Sequence, residues 1–141
     1  MNPYFAEAVT NVDICCFPRT AFEDVVKENR DLEHRLYYYT VHEINAVRDW
    51  MFVLSRKTAE KKVASFLLPL ARRSQIIGCA YVAVEIDLPL SEAELADTLG
   101  LTVESVSSQF ASLEERGHIK LQKKRKIMVP DYDALAKFAG Q

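Results

Sequence analysis

The chain has 141 residues, 49% of them hydrophobic, enough to bury one modest core or two small modules joined by a helix. With 18 basic against 20 acidic residues and a net charge of -2, overall charge does not point to nucleic acid, although a local basic face suffices for phosphate contacts. No apolar run approaches the ~20 residues of a membrane span, and Met1 to Ala8 lacks the basic and apolar regions of a signal peptide; a soluble, cytoplasmic protein that does not meet the membrane is the expectation.

Val12 to Phe17 alternates weakly and reads as a strand that ends at Pro18. Thr20 followed by Glu23 reads as a capping box that opens a short helix through about Glu28, with Phe22, Val25 and Val26 on one face. This is too little for a domain and reads as the end of one. Adjacent Cys15 and Cys16 would point to opposite faces of a strand and would not readily share a metal ion. With Cys79 they give neither an even disulfide framework nor a paired CxxC metal site, so free thiols are expected.

Asp31 to Ser55 contains no Gly or Pro and reads as one long helix. Tyr37, Thr40, Ile44, Val47, Met51 and Leu54 recur in steps of 3 and 4, the a/d alternation of a coiled coil. Leu32, Leu36, Tyr39 and Trp50 form a second apolar set on another side. Two apolar faces must both be covered, one by the helix's own domain and the other by a partner helix, which makes the stripe a dimer seam. The alternative is a helix buried within one chain, but few local elements could cover both faces. A second helix spans roughly Lys57 to Arg73, with Ala59, Val63, Phe66, Leu67 and Leu70 at helical spacing; Pro69 should kink it or end it early. Tyr81 to Ile86, preceded by Gly78, is a short β-type run.

Leu90 to Gly117 carries the chemistry. Ser91 and Glu94 form a capping box before Leu95, Ala96 and Leu99. Gly100 stands where a helix needs a left-handed residue. Leu101 plugs the turn, Thr102 caps the next helix, and Val106, Phe110 and Leu113 form its buried stripe up to Gly117. A small residue at the crossing, a glycine four residues later and a buried valine six after that is helix-turn-helix spacing. Ile119 to Leu121, a Lys-rich turn from Gln122 to Lys126, and Ile127 to Val129 then read as a hairpin wing. The fold class is mainly α with a small β wing: a long dimerisation helix followed by a winged helix-turn-helix.

In that arrangement the second helix, about 102–116, presents its N-terminal half to base edges in the major groove. Its outward residues are Val103, Glu104, Ser107 and Ser108. Glu104 can accept from the cytosine amino group, and the serines can contact bases or phosphate; the plainer reading of Glu104 is a first-turn acid favoured by the helix dipole. Thr102 with the N–H groups at the helix start suits a phosphate. Lys123, Lys124 and Arg125 at the wing tip suit the backbone of double-stranded DNA, positioning without specifying. Taken alone, the charge run Lys120, Lys123, Lys124, Arg125 and Lys126 is more often a solvated face than a DNA contact.

LSRKTAEKKVASFL (Leu54 to Leu67), LPLSEAELADTLGLTVESVS (Leu88 to Ser107), PDYDALAKFAG (Pro130 to Gly140) and NPYFAEAV (Asn2 to Val9) resemble segments of Crp/Fnr regulators, in particular the Fnr and FixK branch. The resemblance spans nearly the whole chain. It implies a homodimer on a two-fold operator that contacts RNA polymerase, and a division into 1–29 as the remnant of an effector or sensor domain, 30–56 as the dimerisation helix and 57–141 as the winged helix-turn-helix domain. It also implies that most of the sensory β-roll, with any cyclic-nucleotide pocket, lies outside this sequence.

Cys15 falls where Fnr proteins place a ligand to an oxygen-sensing iron–sulfur cluster. The other ligands lie near the family's N-terminus and are absent here, so no cofactor is expected in this chain and a cluster only in a full-length parent; otherwise Cys15 is a small buried strand residue. The family's recognition helix usually reads Glu-x-x-Ser/Gly-Arg, and Ser108 stands in the Arg position, followed by Gln109. Loss of a bidentate pair removes roughly 1–3 kcal/mol of discrimination at one base pair, which implies an altered or relaxed operator. The same change admits an alternative, a dimerisation partner with impaired DNA reading that acts through heterodimers. An enzyme is not expected: His34, His42 and His118 are scattered without a nucleophile–base pairing.

Overall fold

The computed structural model describes residues 7–8, 11–74 and 83–140, with Lys124 described for its backbone alone. Readings that rest on Asn2 to Ala6, Val9, Gly78, Cys79, Tyr81 and Val82 lie outside the described residues. Contacts divide the chain into two compact units, Met1–Met51 and Phe52–Gln141.

The first unit holds helix α1 (Arg19–Glu28) and most of helix α2 (Arg30–Arg56). The strand expected over Val12 to Phe17 is not formed: the segment is irregular, and Val12, Ile14 and Phe17 are exposed. Alternation proposes a strand, but only a neighbouring ladder stabilises one, and no strand among the described residues pairs with it. Cys15 and Cys16 are exposed there rather than buried in a strand. The capping box of Thr20 and Glu23 is also absent. Helix α1 begins at Arg19 behind Pro18, so Thr20 already lies inside the first turn, and Glu23 pairs with Arg19 at 2.6 Å instead. Asn29 separates the two helices; its Oδ1 accepts the Leu32 N–H at 3.0 Å and caps α2. Helix α2 then runs unbroken, as the missing Gly and Pro require. Leu32, Leu36 and Trp50 are half-buried, whereas Tyr39, expected with them, is exposed.

The second unit is built on helix α3 (Ala59–Ser74), which packs against α6 (Tyr132–Ala139), α5 (Val103–Glu115) and strand β1 (Val84–Asp87). Pro69 does not end α3 early: the helix continues to Ser74, with Leu67, Leu68 and Ala71 buried on either side of an exposed proline. Burial of those side chains offsets the one backbone N–H that proline removes. Leu95, Leu99, Val106, Leu113, Ile119 and Leu135 complete the core. Ser65, buried in it, is satisfied by the Lys57 ammonium at 2.9 Å.

The β-type run appears as Val84–Asp87, and it changes the wing. Strands β2 (Lys120–Leu121) and β3 (Lys126–Val129) form the expected hairpin, but β1 pairs antiparallel with the other edge of β3, giving the order β1-β3-β2. The register sets Val84 opposite Val129 and Ile86 opposite Ile127, all four buried. The wing is therefore one end of a three-stranded sheet. Its tip is a single 3₁₀ turn, Lys123–Arg125. Arg125 adopts φ 61, a left-handed conformation costly for a side chain with a Cβ. Hydrogen bonds from Leu88 N–H to the Arg125 carbonyl (2.9 Å) and from Gln122 N–H to the Lys126 carbonyl (2.8 Å) hold that turn. Helix α6, beyond the elements expected from the sequence, is capped by the Asp131 carboxylate, which accepts the Ala134 N–H at 2.9 Å.

Candidate nucleic-acid interface

The helix-turn-helix forms as its residues dictate. Helix α4 (Glu92–Leu99) opens on a complete capping box: Ser91 Oγ accepts the Glu94 N–H, and the Glu94 carboxylate accepts the Ser91 N–H at 2.7 Å and hydroxyl at 2.6 Å. The Glu94 carboxyl lies below its ordinary value, chiefly through the Ser91 hydroxyl, then the Ser91 N–H, with Arg125 a lesser influence. Gly100 sits at φ 61 and closes α4, while Leu101 N–H reaches back to the Ala96 carbonyl at 2.9 Å. A Cβ on Gly100 would meet nothing within 4 Å, so the requirement there is backbone conformation and not space.

Thr102 caps α5 by accepting the Ser105 N–H at 3.1 Å. Val106, Phe110 and Leu113 are buried, as expected, and the helix ends at Gly117 with bonds from Gly117 N–H to Glu114 and from His118 N–H to Leu113, a left-handed cap. With its apolar stripe turned inward, α5 holds Val103, Glu104, Ser107, Ser108 and Ala111 outward, all exposed. Gln109 is half-buried. No Lys or Arg stands on this helix before Arg116. The Glu104 carboxyl is held below its ordinary value first by its own backbone N–H and then by the Thr102 hydroxyl. At this helix start, where a phosphate was expected to bind, the Thr102 hydroxyl oxygen already accepts the Ser105 N–H.

A cleft of about 500 Å³ runs between α5, the start of α4 and the wing. Ser91, Glu92, Ser107, Gln122, Arg125 and Lys126 supply its polar lining, with Phe110 and Ile127 among the apolar residues. Ser107 and Arg125, far apart in the chain, thereby face one groove. Ser91 reads in the sequence as a helix cap and Gln122 as the start of the wing turn, not as site residues, because their shared cleft is created by the third strand and the docking of α4. Of the wing cations, Lys123 and Arg125 are exposed, and the side chain of Lys124 is not among those described. Lys126 is engaged: its ammonium bonds Glu85 and lies 3.8 Å from Asp87, and its pKa is raised, first through the Glu85 bond. It belongs to the β1–β3 seam.

Three ties steady the reading helix and its neighbours. Glu60, on the first turn of α3, accepts from the Ser112 hydroxyl at 2.7 Å and pairs with Arg116 at 3.1 Å. The Lys62 ammonium donates to the Leu99 carbonyl at 3.2 Å, at the negative end of α4. The Glu114 carboxylate accepts the Leu121 N–H at 2.7 Å and braces β2. These partners have no local signature.

On α2, Tyr37, Thr40, Ile44, Val47, Met51 and Leu54 are each exposed. His34 and His42 are exposed as well, and the His118 ring lies 4.5 Å from that of Phe138. Among the described residues no three His, Cys, Asp or Glu side chains converge as a metal site, and no helix is long and apolar enough to cross a membrane. An iron–sulfur cluster requires four ligands, a set the described residues do not provide around Cys15.

The Crp-like helix-turn-helix domain family matches residues 61–138. A probable transcriptional activator of Rhizobium leguminosarum bv. viciae is 43% identical over 130 residues, covering 92% of this chain and 53% of that protein. The transcriptional activator protein FnrL of Cereibacter sphaeroides is 40% identical over 139 residues, 97% of this chain and 56% of its own. Among solved structures, that of FixK2 from Bradyrhizobium japonicum is similar with a TM-score of 0.71 at 30% identity, covering 84% of this chain and 57% of that one. The chain spans about half the length of the curated relatives it matches.

Proposed function

This chain belongs to the Crp/Fnr family through its Crp-like helix-turn-helix domain, and from that membership we propose that it is a sequence-specific DNA-binding transcription regulator that acts as a homodimer on a two-fold operator. One observation carries the reading: α5 is locked inward by Val106, Phe110 and Leu113, and so presents the polar Glu104, Ser107 and Ser108, with Val103 beside them, as an exposed tip. That tip suits the major groove, with Glu104 accepting from a cytosine amino group. The Thr102 hydroxyl and the N–H groups at the start of α5 suit a phosphate. Lys123, Lys124 and Arg125 at the wing tip neutralise phosphates and set the register. The exposed stripe on α2 pairs with the same stripe of a second copy, and two tips then face successive turns of the duplex.

A cytoplasmic site of action and a contact with RNA polymerase accompany this role. Cys15 serves an iron–sulfur cluster only where three further ligands come from outside the described residues.

Selection of duplexes from a random pool, followed by salt-titrated gel shift, tests the proposal. A two-fold consensus whose affinity falls steeply with salt supports it. The lack of any cation on the outward face of α5 favours a second reading, a dimerisation partner that has lost strong DNA reading. Dimerisation without a selected sequence would support that one.

A further inference from the structure

We infer that Glu60 is a positioning residue for DNA reading: it sets how α5 presents its outward tip, without touching DNA. This rests on the DNA-binding reading above. Glu60 stands in the first turn of α3, with its side chain 17% exposed. From there it reaches the Ser112 hydroxyl of α5 at 2.7 Å and, one turn on, the guanidinium of the capping residue Arg116 at 3.1 Å. Both contacts lie toward the C-terminal end of α5, away from Val103, Glu104, Ser107 and Ser108. The Arg116 guanidinium also lies 5.8 Å from the centre of the Phe138 ring of α6.

The apolar stripe of α5 fixes which face is buried, yet apolar packing is non-directional and tolerates small rotations and slides. The Ser112 bond to the carboxylate is charge-assisted and directional, and the ion pair with Arg116 adds an attraction one turn further on; together they oppose rotation of the helix about its own axis. A misplacement of about 1 Å is enough to spoil recognition that depends on aimed hydrogen bonds. Glu60 also pairs with Arg116, the cation that caps the C-terminal end of α5.

The full chain and its Glu60→Ala, Glu60→Gln and Ser112→Ala variants are compared on a duplex that the wild type selects from a random pool and on a scrambled duplex of equal length. Binding is measured well below the unfolding temperature, with helicity checked by circular dichroism. Glu60→Ala is expected to lose about tenfold on the selected duplex, the loss of one charge-assisted bond and its neighbouring ion pair converted to affinity, and little on the scrambled one. Glu60→Gln, whose amide oxygen still accepts from Ser112, recovers part of the loss. An unchanged ratio between the two duplexes, even with a lowered melting temperature, overturns the inference. Should Glu60→Ala fail to fold, Ser112→Ala decides by the same ratio, expected to fall about threefold from the loss of one hydrogen bond. A wild type that selects no duplex defeats the DNA-binding reading itself, and that is seen before any substitution is made.

Discussion

Helices α2 and α5 are both amphipathic, and they are finished in opposite ways. Helix α5 buries Val106, Phe110 and Leu113 within its own unit and leaves a polar face outside. Up to Met51, α2 buries no side chain fully and leaves Tyr37, Ile44, Val47 and Met51 exposed. An exposed polar stripe is stable in water and waits only for a ligand. An exposed apolar stripe at coiled-coil spacing loses free energy until something covers it. The two helices therefore call for different partners: a hydrogen-bonding surface for α5, an apolar one for α2.

Putting charge into the α2 stripe should break the comparison most severely. Ile44→Asp with Val47→Asp should abolish dimers by more than about a hundredfold, since unpaired charges would be buried at the seam; sedimentation reads this, and dimers that persist would remove α2 as the interface. Leu113→Ala, in the buried stripe of α5, should cost about 2–5 kcal/mol of stability in urea unfolding, whereas the exposed Ser107→Ala should cost within about 0.5 kcal/mol. Equal losses would mean that α5 is not divided into structural and reading faces. Ser108→Arg should leave stability unchanged and restore a guanine preference of about tenfold or more in duplex selection.

Smaller effects sharpen the picture of the turn. Gly100→Ala should cost about 1–2 kcal/mol from the left-handed backbone alone, because the space for a methyl exists. Ser91→Ala should cost about 1 kcal/mol at neutral pH through its lost cap. Glu94 is lowered in the folded state, so the stability it contributes is present above the ordinary carboxylate value of 4.5 and is lost as pH falls through the folded value. The gap between wild type and Ser91→Ala should accordingly narrow on acidification below about pH 4. A gap independent of pH would mean that the cap works without the Glu94 charge.

What could be read directly from the residues was whatever a helix or turn decides within a few positions. The absence of Gly and Pro from Asp31 to Ser55, Ser91 with Glu94, Gly100, Thr102 and the inward stripe of α5 are local facts, because a capping bond or an i→i+4 bond joins residues already held close by the chain. The outward tip of α5 followed from them. Where local signs misled, tertiary circumstance had overridden them: Val12 to Phe17 alternates but has no ladder among the described residues, the first turn of α1 starts too early for Thr20 to cap it, and packing carries α3 past Pro69.

The rest was settled only when distant segments met. Pairing of β1 with β3, the withdrawal of Lys126 to Glu85, the hold of Glu60 on Ser112 and Arg116, and the cleft shared by Ser107 and Arg125 all join residues far apart in the chain. Bonds of that kind are selected by where the core places two backbones and leave no period or spacing in the sequence.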